Sequence, residues 1–286
     1  MSEPAARTWS GPNRTGRIQF NRLGNMGRRV LSVASIEDIT PGYRRIHLRG
    51  DALEDGFPWM NLAVTDHVKI VFPQPGSREV TIPTRGPNGW ELPEGAPAPI
   101  IRDYTVRGWN PDTRELTFDF VVHGHGIAGR WASQAREGDQ LGVMGPRGNV
   151  VLPENYAHYV IYGDETALPS IQRLIAELPA GPTISAHLLV EEAANIQNLG
   201  ERPGLSVNWL DRNETGPGGL ISAARAAQAP DGDDWFVFAA GEVGELKMVR
   251  DHYRVALGLP KERVMVNGYW QRGVSDFDHH NTGIED

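Results

Sequence analysis

The chain has no cysteine among its 286 residues, which removes disulfides, iron–sulfur clusters and thiolate zinc sites from consideration. Any redox chemistry must therefore rest on an organic cofactor. Long apolar runs are missing as well: no stretch of about 18 consecutive apolar residues occurs, so no membrane-spanning helix is expected. The first residues, MSEPAARTWSGPNRTGRIQFNR, are polar and basic without an apolar centre, unlike a secretory signal. Positive charge is in short supply too, with 28 Lys and Arg against 36 Asp and Glu and a formal charge of −8. That balance argues against nucleic acid or an anionic membrane as partner, and any basic site must be a local cluster. Together these absences lead us to expect a soluble, cytoplasmic protein.

A chain of this length can hold two modest domains, each with a core of its own. Residues 1–28, rich in Gly, Asn, Arg and Pro, read as a mobile arm. Residues 29–154 carry short β-type runs (VLSVASI, YRRIHL, HVKIVF, RDYTVRGW, ELTFDFVV, QLGVMG), broken about every ten residues by Gly and Pro as in a small barrel or sandwich. One interruption, IAGRWASQAR at 127–136, sets Ile127, Trp131 and Ala135 at helical spacing and predicts a short helix inside that domain. The Gly/Pro-rich stretch from Pro83 to Pro99 predicts a long loop or hairpin. Residues 155–273 then alternate apolar strands with amphipathic helices, the rhythm of a doubly wound parallel sheet. The boundary falls near PENY, residues 153–156, and residues 274–286 form a polar tail containing His279 and His280.

Several short motifs could carry chemistry. In RDYTVRGW, residues 102–109, alternation puts Arg102, Tyr104 and Val106 on one side of a strand, and Asp103, Thr105 and Arg107 on the other. An arginine fork, a flat ring and a short hydroxyl would suit a dinucleotide flavin. The same pattern also serves a polar strand with cross-strand pairs. HGHGIAGRWA, residues 123–132, is a glycine-rich turn into a helix, where backbone N–H groups suit a phosphate. Its His123 and His125 lack a third ligand at clear spacing, so no metal site is expected. GPRGNVVLP, residues 145–153, reads as a structural turn. In YGDETALPSI, residues 162–171, acidic residues stand where a phosphate cradle would have glycines. Asp164 or Thr166 can cap the following helix, and Pro169 suits its first turn. GYWQRG, residues 268–273, places Tyr269 and Trp270 after the last predicted strand, at the carboxyl edge where open α/β sheets bind ligands.

With these motifs in this order, the chain resembles the siderophore-interacting protein family, flavoprotein ferric-siderophore reductases related in architecture to ferredoxin–NADP reductases. The resemblance runs from about Val30 through Gly273 and rests on ITPGYRRIHLRG, DHVKIVFP, RDYTVR, HG…RWA, GPRG, YGDETALPSI, AAGE and GYWQRG. It implies an N-terminal antiparallel flavin-binding β-barrel followed by a C-terminal doubly wound parallel-sheet domain of nucleotide-binding type. The implied cofactor is FAD, with NADPH or NADH as electron donor. Carried over residue by residue, it implies Arg102 on the FAD phosphates, Tyr104 against the isoalloxazine and Thr105 near N5. His123, Gly124, Gly126 and Ala128 would form a second flavin segment, supported by Trp131. One departure is clear: Gly126, Ile127 and Ala128 stand where family members often have Gly-Pro-Ala. Asp164, Glu165 and Thr166 would lie in the turn facing the flavin, with Tyr269 and Trp270 beside it and Thr105 and Thr166 as the catalytic hydroxyls.

The implied activity is hydride transfer from NADPH or NADH to FAD, then single electrons to Fe(III) in a siderophore, whose oxygen ligands hold Fe(II) far more weakly. Many ferric chelates are anionic, so a basic rim would steer them. Lys247 and Arg250, three apart on the helix after AAGE, Arg272 and Lys69 are the candidates, each of which also reads as a solvated surface charge. Arg212 or Lys247 could instead meet the donor's adenosine phosphate. Two alternatives stay open, a reductase fed by ferredoxin and a non-catalytic siderophore-binding module; the intact RDYTVR favours retention of the flavin.

Overall fold

The computed structural model describes residues 11–24, 26–86, 89–122, 126–274 and 277. The chain divides into two compact units, one formed by Phe20–Val151 and the other by Gly11–Gln19 together with the residues from Leu152 onward. In chain order the first unit contains β1 (Gln19–Arg22), β2 (Arg28–Thr40), β3 (Tyr43–Arg49), β4 (His67–Phe72), β5 (Thr84–Gly86), β6 (Gly89–Glu91), β7 (Ile100–Thr105), β8 (Gly108–Asn110), β9 (Glu115–Val121), α1 (Ile127–Gln134), β10 (Gln140–Met144) and β11 (Gly148–Val151). Seven of these strands form one sheet in the order β7-β4-β10-β2-β3-β9-β8, antiparallel throughout. Two register shifts along the 13-residue β2 bend it and let the sheet curl. Alternate residues such as Leu31, Ile46, Leu48, Ile70, Leu116, Phe118 and Leu141 fill the interior at 0% exposure, as the period of two requires. The helix expected at 127–136 forms as α1, with Gly129 and Ala132 buried. The Pro83–Pro99 loop contains the small hairpin β5-β6.

The arm expected over residues 1–28 needs correction from residue 11 onward. Asn13 is fully buried, its side-chain amide donates to the Arg17 carbonyl at 2.8 Å, and its own carbonyl accepts from the Glu154 N–H at 2.9 Å. The Tyr156 hydroxyl donates to the Gly16 carbonyl at 2.8 Å. Next in sequence, β1 pairs with β11, and a Cβ at Gly148 would lie 2.5 Å from the Asn21 carbonyl oxygen, so the glycine permits that approach. Polar composition concealed this segment because its backbone and amides find partners more than a hundred residues away.

The second unit adds β12 (His158–Asp164), α2 (Leu168–Glu177), β13 (Thr183–Val190), β14 (Leu205–Asp211), α3 (Arg212–Thr215), α4 (Gly219–Ala226), β15 (Trp235–Glu242), α5 (Val243–Asp251) and β16 (Val264–Trp270). Its five strands run parallel in the order β14-β13-β12-β15-β16. All eight positions of β15 are buried, as expected for a strand covered by helices on both faces. α2 starts with Pro in its first turn and buries Leu168, Ile171, Leu174 and Ile175, each worth about 1.5–3 kcal/mol of hydrophobic stabilisation. Strand order reverses between β12 and β15, so their carboxyl ends, Asp164 and Glu242, flank the switch point where such sheets bind ligands.

Candidate active site

In the first unit, β7 carries the RDYT motif into position. It pairs with β4 so that Lys69 faces Asp103, Val68 faces Tyr104 and His67 faces Thr105. The strand then stops: the Val106 N–H donates to the Asp66 carbonyl at 2.9 Å, and the Val106 side chain is fully buried. The Tyr104 ring lies 4.6 Å from that of Phe120 and 6.3 Å from that of Phe72. Trp131 of α1 contacts the same two rings at 5.6 and 5.7 Å. Tyr104 and Trp131 are thus half-buried outer members of one aromatic cluster rather than free-standing platforms. Burial pushes the Tyr104 hydroxyl well above its ordinary pKa, which keeps it neutral. Arg102 is half-buried with Nη1 donating to the Ile101 carbonyl at 2.6 Å, and Thr105 is 9% exposed.

α1 supplies the second element. Its N-cap, Gly126, is exposed, has φ +83°, and offers no capping side chain, and no acidic residue stands in the first turn. The first N–H groups of a helix have no intrahelical acceptor, so this uncapped start suits an anion. The arginine of β7, the partly exposed Tyr104 ring and this helix start fit the pyrophosphate and ring of a flavin dinucleotide. Ala128 and Trp131 pack against the core beneath the turn. His123, Gly124, His125, His279 and His280 lie outside the described residues, and among the described residues no group of three metal-ligating side chains is found.

In the second unit the switch point is closed by the protein itself. Asp164 caps the turn into α2: its Oδ1 accepts from the Thr166 N–H at 2.9 Å and the Thr166 hydroxyl at 2.5 Å. Its Oδ2 accepts from the Glu242 N–H and from Trp270 Nε1, both at 2.8 Å. Burial pushes the Asp164 carboxyl above its ordinary range, and these four donors pull the other way. A Cβ on Gly241, where φ is +139°, would lie 2.5 Å from Asp164 Oδ2, so only glycine allows the carboxylate there. Neighbouring acids play similar parts. Glu242 accepts from the Glu245 N–H at 2.9 Å and the Arg272 N–H at 3.1 Å. Glu165 accepts from the Glu191 N–H at 3.1 Å and Asn195 Nδ2 at 2.9 Å. Tyr269 shares a 2.6 Å hydrogen bond with Ser170. Tyr269 and Trp270, singled out for a cofactor, are therefore brought together with Asp164 and Thr166 as a hydrogen-bonded lining of the sheet edge.

The expected basic rim is reduced by ion pairs. Lys69 Nζ lies 3.0 Å from Asp103 across the strand pair, the cross-strand alternative that its register allows. Arg250 is held by Asp251 at 2.9 Å. Arg212 is 11% exposed, sits 2.7 Å from Glu245 and 3.1 Å from Glu191, and so is not presented to a phosphate. Lys247 and Arg272 remain exposed; Arg272 borders a shallow cleft of about 510 Å³ with Ser222, Gly244 and Met248. Glu242 caps its own helix α5, a local role, whereas the role of Glu245 had no sequence signal because its partners, Arg212 and the Leu220 N–H, come from other elements.

Comparison with known proteins adds the following. Residues 32–150 match the siderophore-interacting FAD-binding domain family, and residues 156–273 match the siderophore-interacting protein family. The chain is 34% identical over 261 residues to the NADPH-dependent ferric-chelate reductase of Escherichia coli, spanning 90% of this chain and 98% of that protein. It is 30% identical over 268 residues to the ferric vibriobactin reductase of Vibrio cholerae, spanning 91% and 95%. Among solved structures, a siderophore utilization protein from T. fusca superposes with TM-score 0.82 at 40% identity, covering 92% of this chain and 99% of that one.

Proposed function

The chain belongs to the siderophore-interacting protein family, and on that premise we propose that it is an FAD-dependent reductase that draws electrons from NADPH or NADH and releases iron from ferric siderophores as Fe(II). The observation that carries this reading is the pairing, in one unit, of an uncapped helix start at Gly126 with the Arg102-Tyr104-Thr105 strand. FAD, when bound, takes up two electrons together and gives them out one at a time, which a single ferric ion requires.

The side chains of this chain bind and orient. Arg102 and the α1 N–H groups would hold the two phosphates, each supplying charge-assisted donors. Tyr104, backed by Phe120 and Phe72, would offer one ring face, and the Thr105 hydroxyl would hydrogen-bond at the reactive edge. Asp164 fixes Thr166 and Trp270 at the carboxyl edge of the parallel sheet, where its charge disfavours a tightly held pyrophosphate. A nicotinamide donor that visits and leaves is consistent with that edge. Lys247 and Arg272 would steer an anionic chelate. Iron is substrate here and needs no protein ligand. We place the protein in the cytoplasm, where reduced nicotinamides are available; among the described residues no helix is long and apolar enough to cross a membrane.

The test is anaerobic turnover: FAD-loaded protein, NADPH and a ferric siderophore, with Fe(II) trapped by a coloured chelator. Fe(II) formation that requires both FAD and the nicotinamide is the expected result. No Fe(II) from any chelate, with the flavin bound, would overturn the proposal. Reduced ferredoxin run in parallel distinguishes the remaining donor.

A further inference from the structure

A second concave surface lies at one end of the first unit's sheet. It is a cleft of about 620 Å³ bounded by the start of β2, the turn at residues 52–58, Trp109 and Arg114. Arg29 runs into it half-buried, with Nη1 donating to the Gly145 carbonyl at 3.0 Å and the guanidinium 5.1 Å above the Phe57 ring. Phe57 in turn lies 6.1 Å from Trp109, tilted by 42°. Gly27 leaves room for this arrangement, since a Cβ there would come within 2.4 Å of Arg29 Nη1. Among the described residues no carboxylate pairs with Arg29, and burial draws its pKa below the usual arginine value. A half-buried guanidinium without a counter-charge is a costly arrangement unless an anion completes it. Arg28 and Arg114 stand on the rim together with Glu54 and Asp55, Glu54 lying 4.0 Å from Arg114.

The strand register locates this cleft. Thr105 faces His67, Lys69 faces Met144 and Met144 faces Arg28, so Thr105 and the cleft open at the same end of the sheet. Trp109, one wall of the cleft, follows Thr105 by only four residues, so even a fully extended chain keeps the two within about 14 Å. Resting on the reading that the chain acts on ferric chelates, we infer that the cleft binds a planar aromatic anion. It would take the carboxylate or phenolate of an aryl arm of the chelate on Arg29 and its ring against Phe57 and Trp109. Two aromatic walls and a guanidinium already seated on a ring select a flat ring with an attached negative charge over an aliphatic anion or a free phosphate.

The probe is iron-free 2,3-dihydroxybenzoate, titrated calorimetrically into the full FAD-loaded chain, with cyclohexanecarboxylate as the non-aromatic anion. Saturable binding of the first, about tenfold tighter than the second, is expected. Arg29→Gln should weaken it about tenfold, and Trp109→Leu should weaken it as well, with FAD content unchanged. In turnover, Arg29→Gln should raise KM for an aryl ferric chelate relative to that for a ferric hydroxamate. If Arg29→Gln does not fold, Gly27→Ala, which displaces the guanidinium, replaces it. Equal affinity for the two probes, or affinity untouched by the substitutions, overturns the inference. Failure to yield Fe(II) from any chelate while the benzoate still binds at Arg29 would instead sink the reductase reading and support the cleft.

Discussion

Asp164 shows how much one side chain can decide. Four donors converge on its carboxylate from the α2 turn, the end of β15 and the indole of Trp270. Asp164→Ala strands those donors in a buried place and should cost about 3 kcal/mol, whereas Trp270→Phe, losing one neutral donor, should cost about 1 kcal/mol; denaturant midpoints measure both. Tyr104→Ala should weaken FAD retention and shift the flavin spectrum, while Tyr104→Phe keeps the ring and should retain the cofactor. Unchanged affinity and spectrum in Tyr104→Ala would exclude ring stacking. His187 gives a pH test. Its ring stacks on Tyr162 at 4.9 Å and 10°, and burial lowers its pKa. The unfolded chain therefore binds the proton more readily, so this contribution to stability is full above about pH 6.5 and is lost as pH falls below it. On acidification from about pH 7.5 to about pH 5.5, Tm should drop less in His187→Asn than in the unaltered chain.

Among the elements, α1 and β7 do the binding work that the proposal assigns. α1 starts without a side-chain cap, which leaves its first N–H groups available to an anion. Gly126→Asp places a negative charge at that start. Since φ is +83° at Gly126, any side chain there strains the backbone, so Gly126→Asn is the control. FAD affinity should fall about fivefold to tenfold further in Gly126→Asp than in Gly126→Asn, as followed by flavin fluorescence, with circular dichroism reporting the fold. β7 was legible as a strand from its alternation, and its end at Thr105 was not, because the Val106 N–H leaves the ladder for the Asp66 carbonyl, a partner about forty residues upstream by chain count. Pro169 in the first turn of α2 was legible, whereas Asp164, expected to cap that helix, caps the one-turn 3-10 segment Glu165–Ala167 that precedes it. What that cap also does for β15 and β16 could not be read from a local sequence.

For the whole molecule, charge and donor choice matter most. Of the candidate rim cations, Lys69, Arg212 and Arg250 are held in ion pairs, and Lys247 and Arg272 are exposed. Lys247→Ala with Arg272→Ala should raise KM for an anionic ferric chelate several-fold at low salt and flatten its salt dependence. An unchanged salt profile would remove the steering argument. Anaerobic bleaching of the flavin band by NADPH, NADH or reduced ferredoxin reads out the donor directly.

The sequence by itself determined what is local or excluded. Absence of cysteine ruled out metal–sulfur chemistry, period-two runs gave the antiparallel unit, strand and helix alternation gave the parallel one, and RDYT with GDETALP marked the two segments that matter. These follow from short-range sterics and from burial patterns that repeat every two or 3.6 residues. Tertiary structure decided which charges are free and which are paired, that residues 11–22 are ordered, and that a carboxylate fills the switch point. It also gathered Gly27, Arg29, Phe57 and Trp109 around one cleft. The reason is physical: ion pairs, buried hydrogen bonds and clefts form between residues brought close by the fold, and nothing in their spacing along the chain records that approach.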